Sequence, residues 1–116
     1  MSARQPADFI ERVGEECVWT VAGKSAMAGT YTGRDAILDF FRRTQELTGG
    51  TYAVVLNWEL DDGDRQVTYY RAQGSRPDGR TLDIDQALVS RVDEEGRWTE
   101  VRALPYDQGV FDAFWS

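Results

Sequence analysis

After Gly50 the chain runs as four strand-forming segments separated by tight-turn residues, and this pattern limits its possible folds more than any other feature. "TYAVVLNWEL" ends at Asp61-Asp62-Gly63-Asp64. "RQVTYYRAQGS" ends at Pro77-Asp78-Gly79, and "RTLDIDQALVSRV" at Asp93-Glu94-Glu95-Gly96. "RWTEVRALPY" is the last segment. All four are rich in β-formers, and each connection carries the Gly, Asp or Pro that a reversal needs. Short loops join antiparallel neighbours, so a meander is expected. Before it, Ile37, Leu38, Phe40, Phe41 and Leu47 lie at helical spacing. Thr32 is the expected N-cap, with Asp35 in a capping-box-like place. Arg42 and Arg43 suit the C-terminal half of the dipole, and Gly49-Gly50 stops the helix. Pro6–Glu16 predicts a short helix with Phe9, Ile10 and Val13 on one stripe, and "CVWTVAG" a short strand. The order helix, strand, helix, four strands predicts one α+β domain over residues 1–116, with one sheet face against the helices.

Alternation indicates which side chains face in. Over 82–92 the even positions are Leu82, Ile84, Gln86, Leu88, Ser90 and Val92; Asp83, Asp85 and Arg91 are odd. The even set is the expected inner face. Gln86 then sits among apolar neighbours, where its amide needs partners or a ligand. Arg71 follows Val67 and Tyr69 at spacing two, so the three share a face. The expectation is that this face is inner and that the guanidinium there binds an anion or an enolate-like oxygen; the alternative is an ion pair with an acidic neighbour at the pocket mouth. Asp83 and Asp85 form a carboxylate pair on the expected outer face. Trp19, Trp58, Tyr52, Tyr69, Tyr70 and Tyr106 supply aromatic surface. Asp107 is placed to reach a pocket mouth or to make a turn. Asp112, Phe114 and Trp115 read as a tail pinned to the sheet. Cys17 reads as a buried thiol.

Composition narrows the chemistry. With 116 residues and a net charge of −7, the chain suits one domain and repels polyphosphate and anionic membranes. Neither nucleic acid nor a membrane is an expected partner. No apolar run spans a bilayer, the start lacks a signal-peptide pattern, and one cysteine forms no internal disulfide. A cytoplasmic location is expected. There is no histidine, which removes the commonest base, the commonest zinc ligand and every Ser-His or Cys-His pair. No metal site is expected. Asp61–Asp64 is too short for a calcium loop, and no glycine loop cradles a phosphate, so no cofactor is expected either.

"VWTVAGKSAMAGTYTGRDAILDFF", "ELTGG", "GRTLDIDQALVSRV" and "YDQGVFDAFW" together resemble the SnoaL-like branch of the nuclear-transport-factor-2-like superfamily. The resemblance covers about residues 6–116. It implies a cystatin-like α+β cone: a curved antiparallel sheet wrapped round helices, with a pocket inside. The long helix that family members carry ahead of the segment matching Pro6–Glu16 is missing. That leaves a wall open, or closed by a second copy, unless the protein starts further upstream. The resemblance also implies catalytic positions that this chain fills differently. Ketosteroid isomerases place acids near Val21 and Leu88. The cyclases carry histidines at Thr20 and near Leu88. The epoxide hydrolases use an Arg-x-Asp run, here Arg71-Ala72-Gln73, and an acid near Ala103.

These readings lead to a cofactor-independent pocket enzyme of secondary metabolism: an isomerase, polyketide-cyclase-like protein or dehydratase acting on a hydrophobic, oxygenated polyketide- or terpenoid-like substrate. Arg71, Asp107 and Tyr69 are the catalytic candidates. Trp19, Gln73, Gln86, Leu88 and Trp58 are the substrate-binding candidates. The partners expected are a hydrophobic small molecule and a second copy in a homodimer. The alternatives are a non-catalytic binding or dimeric accessory protein, and an epoxide-hydrolase-like hydrolase.

Overall fold

A computed structural model describes residues 3–4 and 6–116. Its elements are β1 (Ala3–Arg4), a 3-10 helix (Pro6–Arg12), β2 (Val13–Val21), β3 (Gly29–Thr32), α1 (Arg34–Leu47), β4 (Ala53–Asp61), β5 (Arg65–Ser75), β6 (Thr81–Val92), β7 (Trp98–Pro105) and α2 (Gln108–Trp115). The strands form one sheet in the order β1-β4-β5-β6-β7-β2-β3. β4 to β7 are the expected meander, each strand antiparallel to the next. Register shifts at Leu56/Trp58 and Arg91/Val92 bend the sheet, as an extra residue on one strand does.

Four local expectations differ from the structure. The Pro6 segment leaves its 3-10 helix at Arg12, and β2 already starts at Val13. Val13 pairs with Trp98 and Val18 with Glu100, so residues 14–17 bulge out and expose Glu15 and Glu16. The charges of that bulge hide the strand from an alternation test. Second, β2 runs parallel to β7, which makes the sheet mixed. Third, Thr32 does not cap α1. It pairs with Val18 inside β3, and Gly33 takes the cap at φ +92°, with no side-chain cap bond. Gly33 N–H donates to Cys17 O (2.8 Å), which ties the helix start to β2. A side chain at that φ would be strained.

Fourth, the C-terminal tail is a helix. Asp107 caps α2 by accepting from Val110 N–H (3.1 Å). Its last carbonyls accept from the β5–β6 turn: Arg76 Nη1 donates to Phe114 O (2.8 Å) and Arg80 Nη1 to Ala113 O (2.9 Å). Cations at that end also oppose the helix dipole. Phe111, Phe114 and Trp115 are buried, and Trp115 meets the Tyr52 ring edge-on at 5.2 Å.

The core lies between the inner sheet face and α1, which buries Ile37, Phe41 and Thr44. Trp98 is fully buried, with the rings of Phe9 (5.8 Å) and Trp19 (6.1 Å) beside it. Its indole N–H donates to Gln66 Oε1 (2.9 Å). The Arg12 guanidinium lies 5.4 Å from its centroid and is held by Glu59 at 2.6 and 2.9 Å. Trp98→Ala is expected to lower unfolding stability by about 3–5 kcal/mol. A urea titration followed by far-UV circular dichroism measures it; a loss under about 1 kcal/mol would mean that the ring cluster is not what anchors the core.

Candidate functional site

The turn between β5 and β6 decides what the sheet points inward. It is centred on Asp78, with Ser75 paired to Thr81, so even residues of β5 face even residues of β6. Leu82, Gln86 and Leu88 are buried, as alternation predicts. Their partner strand therefore buries Thr68, Tyr70 and Ala72, not Val67, Tyr69 and Arg71.

Inside lies a cavity of about 40 Å³ whose walls include Phe9, Trp19, Phe41, Tyr52, Tyr70 and Trp115. Val21, Leu88 and Ala103 complete the sheet side, and Phe111 of α2 closes an end. Gln86 is the one amide among the lining residues. Its Nε2 donates to the Tyr70 hydroxyl (2.8 Å), while its Oε1 has no partner among the described residues. Trp19 Nε1 is likewise buried without a partner. Burial pushes the Tyr52 and Tyr70 hydroxyls well above the ordinary phenol range. No carboxylate, amine or guanidinium is among the described lining residues, so every group there is neutral at ordinary pH.

The structure separates the residues that the sequence groups together. Trp19, Gln86 and Leu88 line the cavity. Arg71, Tyr69, Gln73, Trp58 and Asp107 do not. The expectation that Arg71 points inward is corrected: its half-exposed side chain lies on the outer face, donating to Asp83 (2.7 Å) and Asp85 (3.1 Å). Those carboxylates raise its pKa further. Tyr69 donates its hydroxyl to Asp85 (2.8 Å), and Trp58 stacks on its ring at 4.9 Å, 2° from parallel. Gln73 donates to Asp83 (3.2 Å). Asp107 is spent on the α2 cap. None of the three catalytic candidates reaches the cavity.

The positions at which the family resemblance expects acids, Val21, Leu88 and Ala103, do line the cavity, and all three are apolar. The Tyr70–Gln86 pair was open to sequence reasoning: both residues are even, and the turn between their strands is symmetric. Phe9, Phe41 and Phe111 were visible only as helical or tail apolar residues, because their convergence depends on the tertiary fold. Cys17 is buried outside the cavity, and burial together with Glu100 pushes its thiol up to about 11. It is no nucleophile at neutral pH. No cluster able to hold a metal ion occurs among the described residues.

Comparison with known proteins agrees with this geometry. A family model described as "SnoaL-like domain" matches residues 1–101. An uncharacterized protein of Mycobacterium tuberculosis is 33% identical over 97 residues, which is 83% of this chain and 72% of that one. The structure of Bal32a, from a soil-derived mobile gene cassette, superposes with a TM-score of 0.85 at 34% identity, over 91% of this chain and 80% of that one. A protein with a ketosteroid isomerase-like fold from Catenulispora acidiphila, in complex with trimethylamine, gives a TM-score of 0.76 at 17% identity, over 96% and 82%. At that identity the last shows the fold alone.

The outer-face network carries a pH signature. Hydrogen bonds, from Arg71 to Asp83 and from Tyr69 and then Arg71 to Asp85, hold both carboxyls below their ordinary range. A depressed folded pKa stabilises the fold above the unfolded value, and that contribution is lost as pH falls through the folded value. The melting temperature of wild type should therefore exceed that of Arg71→Ala by a constant margin above about pH 5. The margin should shrink below about pH 4. Thermal melts across that range test it, and a margin that widens in acid contradicts the assignment.

Proposed function

The chain belongs to the SnoaL-like domain family of the nuclear-transport-factor-2-like superfamily, and from that premise we propose that it is a small-molecule-binding protein whose ligand is small, uncharged, largely apolar and oxygen-bearing. One observation carries the proposal: Trp19 and Gln86 both line the aromatic-walled cavity, and Trp19 Nε1–H and Gln86 Oε1 are buried with no hydrogen-bond partner among the described residues. An unpaired buried polar group costs about 1–3 kcal/mol. A ligand oxygen accepting from the indole, or a ligand hydroxyl donating to the amide, recovers that cost. The aromatic walls supply the apolar contact.

Charge and size narrow the ligand. With no counter-ion in the lining, a carboxylate or ammonium would enter unpaired, which is strongly unfavourable. At about 40 Å³ the cavity holds roughly three water-sized groups as its side chains stand. A polyketide or terpenoid ring system needs several hundred Å³. Ligands of a few heavy atoms fit, and larger ones require the aromatic walls to move apart.

The same lining favours binding over turnover. Isomerisation or dehydration needs a group that exchanges a proton near neutral pH. The acid positions expected from the resemblance hold Val21, Leu88 and Ala103, and the two phenols are held protonated. Arg71 and Tyr69 serve an ion-pair network on the opposite face. The isomerase reading is left without a base, and the epoxide-hydrolase reading without its carboxylates.

Nuclear magnetic resonance tests the proposal, because an indole N–H gives a resolved signal in a ¹H–¹⁵N spectrum. Titration with tert-butanol, cyclohexanone and phenol should shift the Trp19 indole signal, and acetate and tetramethylammonium should not. Gln86→Leu should weaken binding of the responsive probe about tenfold. Arg71→Ala should leave it unchanged. The affinity should stay flat from about pH 5 to pH 9, because no lining group titrates there. A charged probe that binds best, or binding that ignores Gln86→Leu, would refute the assignment of the cavity.

A further inference from the structure

Phe111 and Trp115 of α2 are walls of the cavity, alongside residues of β2, α1 and β4 to β7. The strands are fixed to one another by backbone ladders, and α1 is tied at its start by Gly33 N–H to Cys17 O. Phe9 and Met27 also line the cavity and are anchored nearby: Arg12 of the 3-10 helix holds Glu59 (2.6 Å), and the Tyr31 hydroxyl donates to Met27 O (2.7 Å). α2 is attached differently. Among the described residues no backbone hydrogen bond joins it to a strand or to α1. The last backbone tie before it is Tyr106 N–H to Asp85 O (2.9 Å).

Three long side chains hold α2 in place. Arg76 Nη1 donates to Phe114 O (2.8 Å), Arg80 Nη1 to Ala113 O (2.9 Å) and Ser116 O (2.8 Å), and Gln108 Nε2 to Ala22 O (3.2 Å). The carbonyls held by the two arginines are ones a helix leaves without an internal partner. Water can replace each of these bonds when the helix moves out, so releasing them costs little. The buried rings of Phe111, Phe114 and Trp115 set most of the cost of opening. The connection gives way easily: Tyr106 is 83% exposed, and Asp107 caps α2 itself and travels with it.

We propose that α2 is the lid of the cavity. It swings out about Tyr106–Asp107 when the Arg76, Arg80 and Gln108 bonds are released, and the ligand enters and leaves past Phe111 and Trp115. The inference rests on the reading of the cavity as a binding site. It also says which walls part for a ligand larger than the resting cavity. The lid is closed in both the empty and the bound protein, so the latch sets the rate of exchange and not the affinity.

Hydrogen exchange of the full chain tests the motion without any ligand. An eight-residue helix is marginal in water by itself, so an open α2 unwinds and its amides exchange. The amides of Phe111 to Trp115 should exchange at least about a hundredfold faster than the buried amides of β5 and β6. Arg76→Met/Arg80→Met should accelerate them about tenfold further, with the strand amides unchanged. Gln108→Ala, at the other end of α2, should act in the same direction. Phenol then reports on passage, through line shapes of the Trp19 indole signal. Its association and dissociation rates should rise together by about the same tenfold in the double variant, with Kd constant. α2 amides that exchange only along with the strands would overturn the proposal. So would phenol rates that ignore both variants, or a rise in Kd with no change in association rate. Phenol that binds at unaltered rates sinks the lid alone, whereas phenol, tert-butanol and cyclohexanone all failing to bind wild type sinks the reading of the cavity, and the lid with it.

Discussion

Arg76 N–H and Arg80 C=O close a five-residue turn at 2.8 Å, and the register that follows runs unbroken from Ser75–Thr81 to Arg65–Arg91. This pairing divides the side chains of the two longest strands between two environments. Tyr70, Ala72, Gln86 and Leu88 go to the cavity or core, while Tyr69, Arg71, Asp83 and Asp85 go outside. A shift of one residue would exchange the sets. Arg71 would then be buried against aromatic rings without a carboxylate, at a cost well above any single contact in the fold. The same turn supplies Arg76 and Arg80 to the carbonyl end of α2. One hairpin thus fixes the interior, the outer face and the seat of the closing helix.

Much of this was legible in the sequence, for physical reasons that can be located. The meander followed from four β-rich runs with turn residues between them, because turn chemistry and strand propensity are local. The burial of Gln86 followed from alternation along β6. The orientation of Arg71 did not follow from β5 alone, since "RQVTYYRAQGS" is amphipathic in neither phase: Tyr69 and Tyr70 suit either face. Only the symmetry of the turn about Asp78 resolves it, through the pairing of Arg71 with Asp85. The resemblance to a family drew attention to Arg71-Ala72-Gln73 as the remnant of a catalytic run, and the register shows why it is not one. Gly33 displaced Thr32 as the cap of α1 because β3 had already committed Thr32 to pairing with Val18. α2 escaped notice because its eight residues have no helical neighbour to set a period and are held by contacts from residues 76 and 80.

The two halves of the site chemistry therefore lie on opposite sides of one sheet. Outside are the ion pairs of Arg71, Asp83 and Asp85, in water, where such pairs contribute little to stability. Inside are neutral dipoles, where the low dielectric makes each unpaired group costly and each added hydrogen bond correspondingly effective. A protein that handles an ionic intermediate needs some charge on the inner side. Here the inner positions open to an acid are Val21, Leu88 and Ala103, and no charged side chain is among the described residues that line the cavity. On the function proposed above, the cavity takes an uncharged molecule and offers its oxygen the Trp19 indole N–H and the Gln86 amide. That is recognition by shape and by two dipoles, which requires no proton to move.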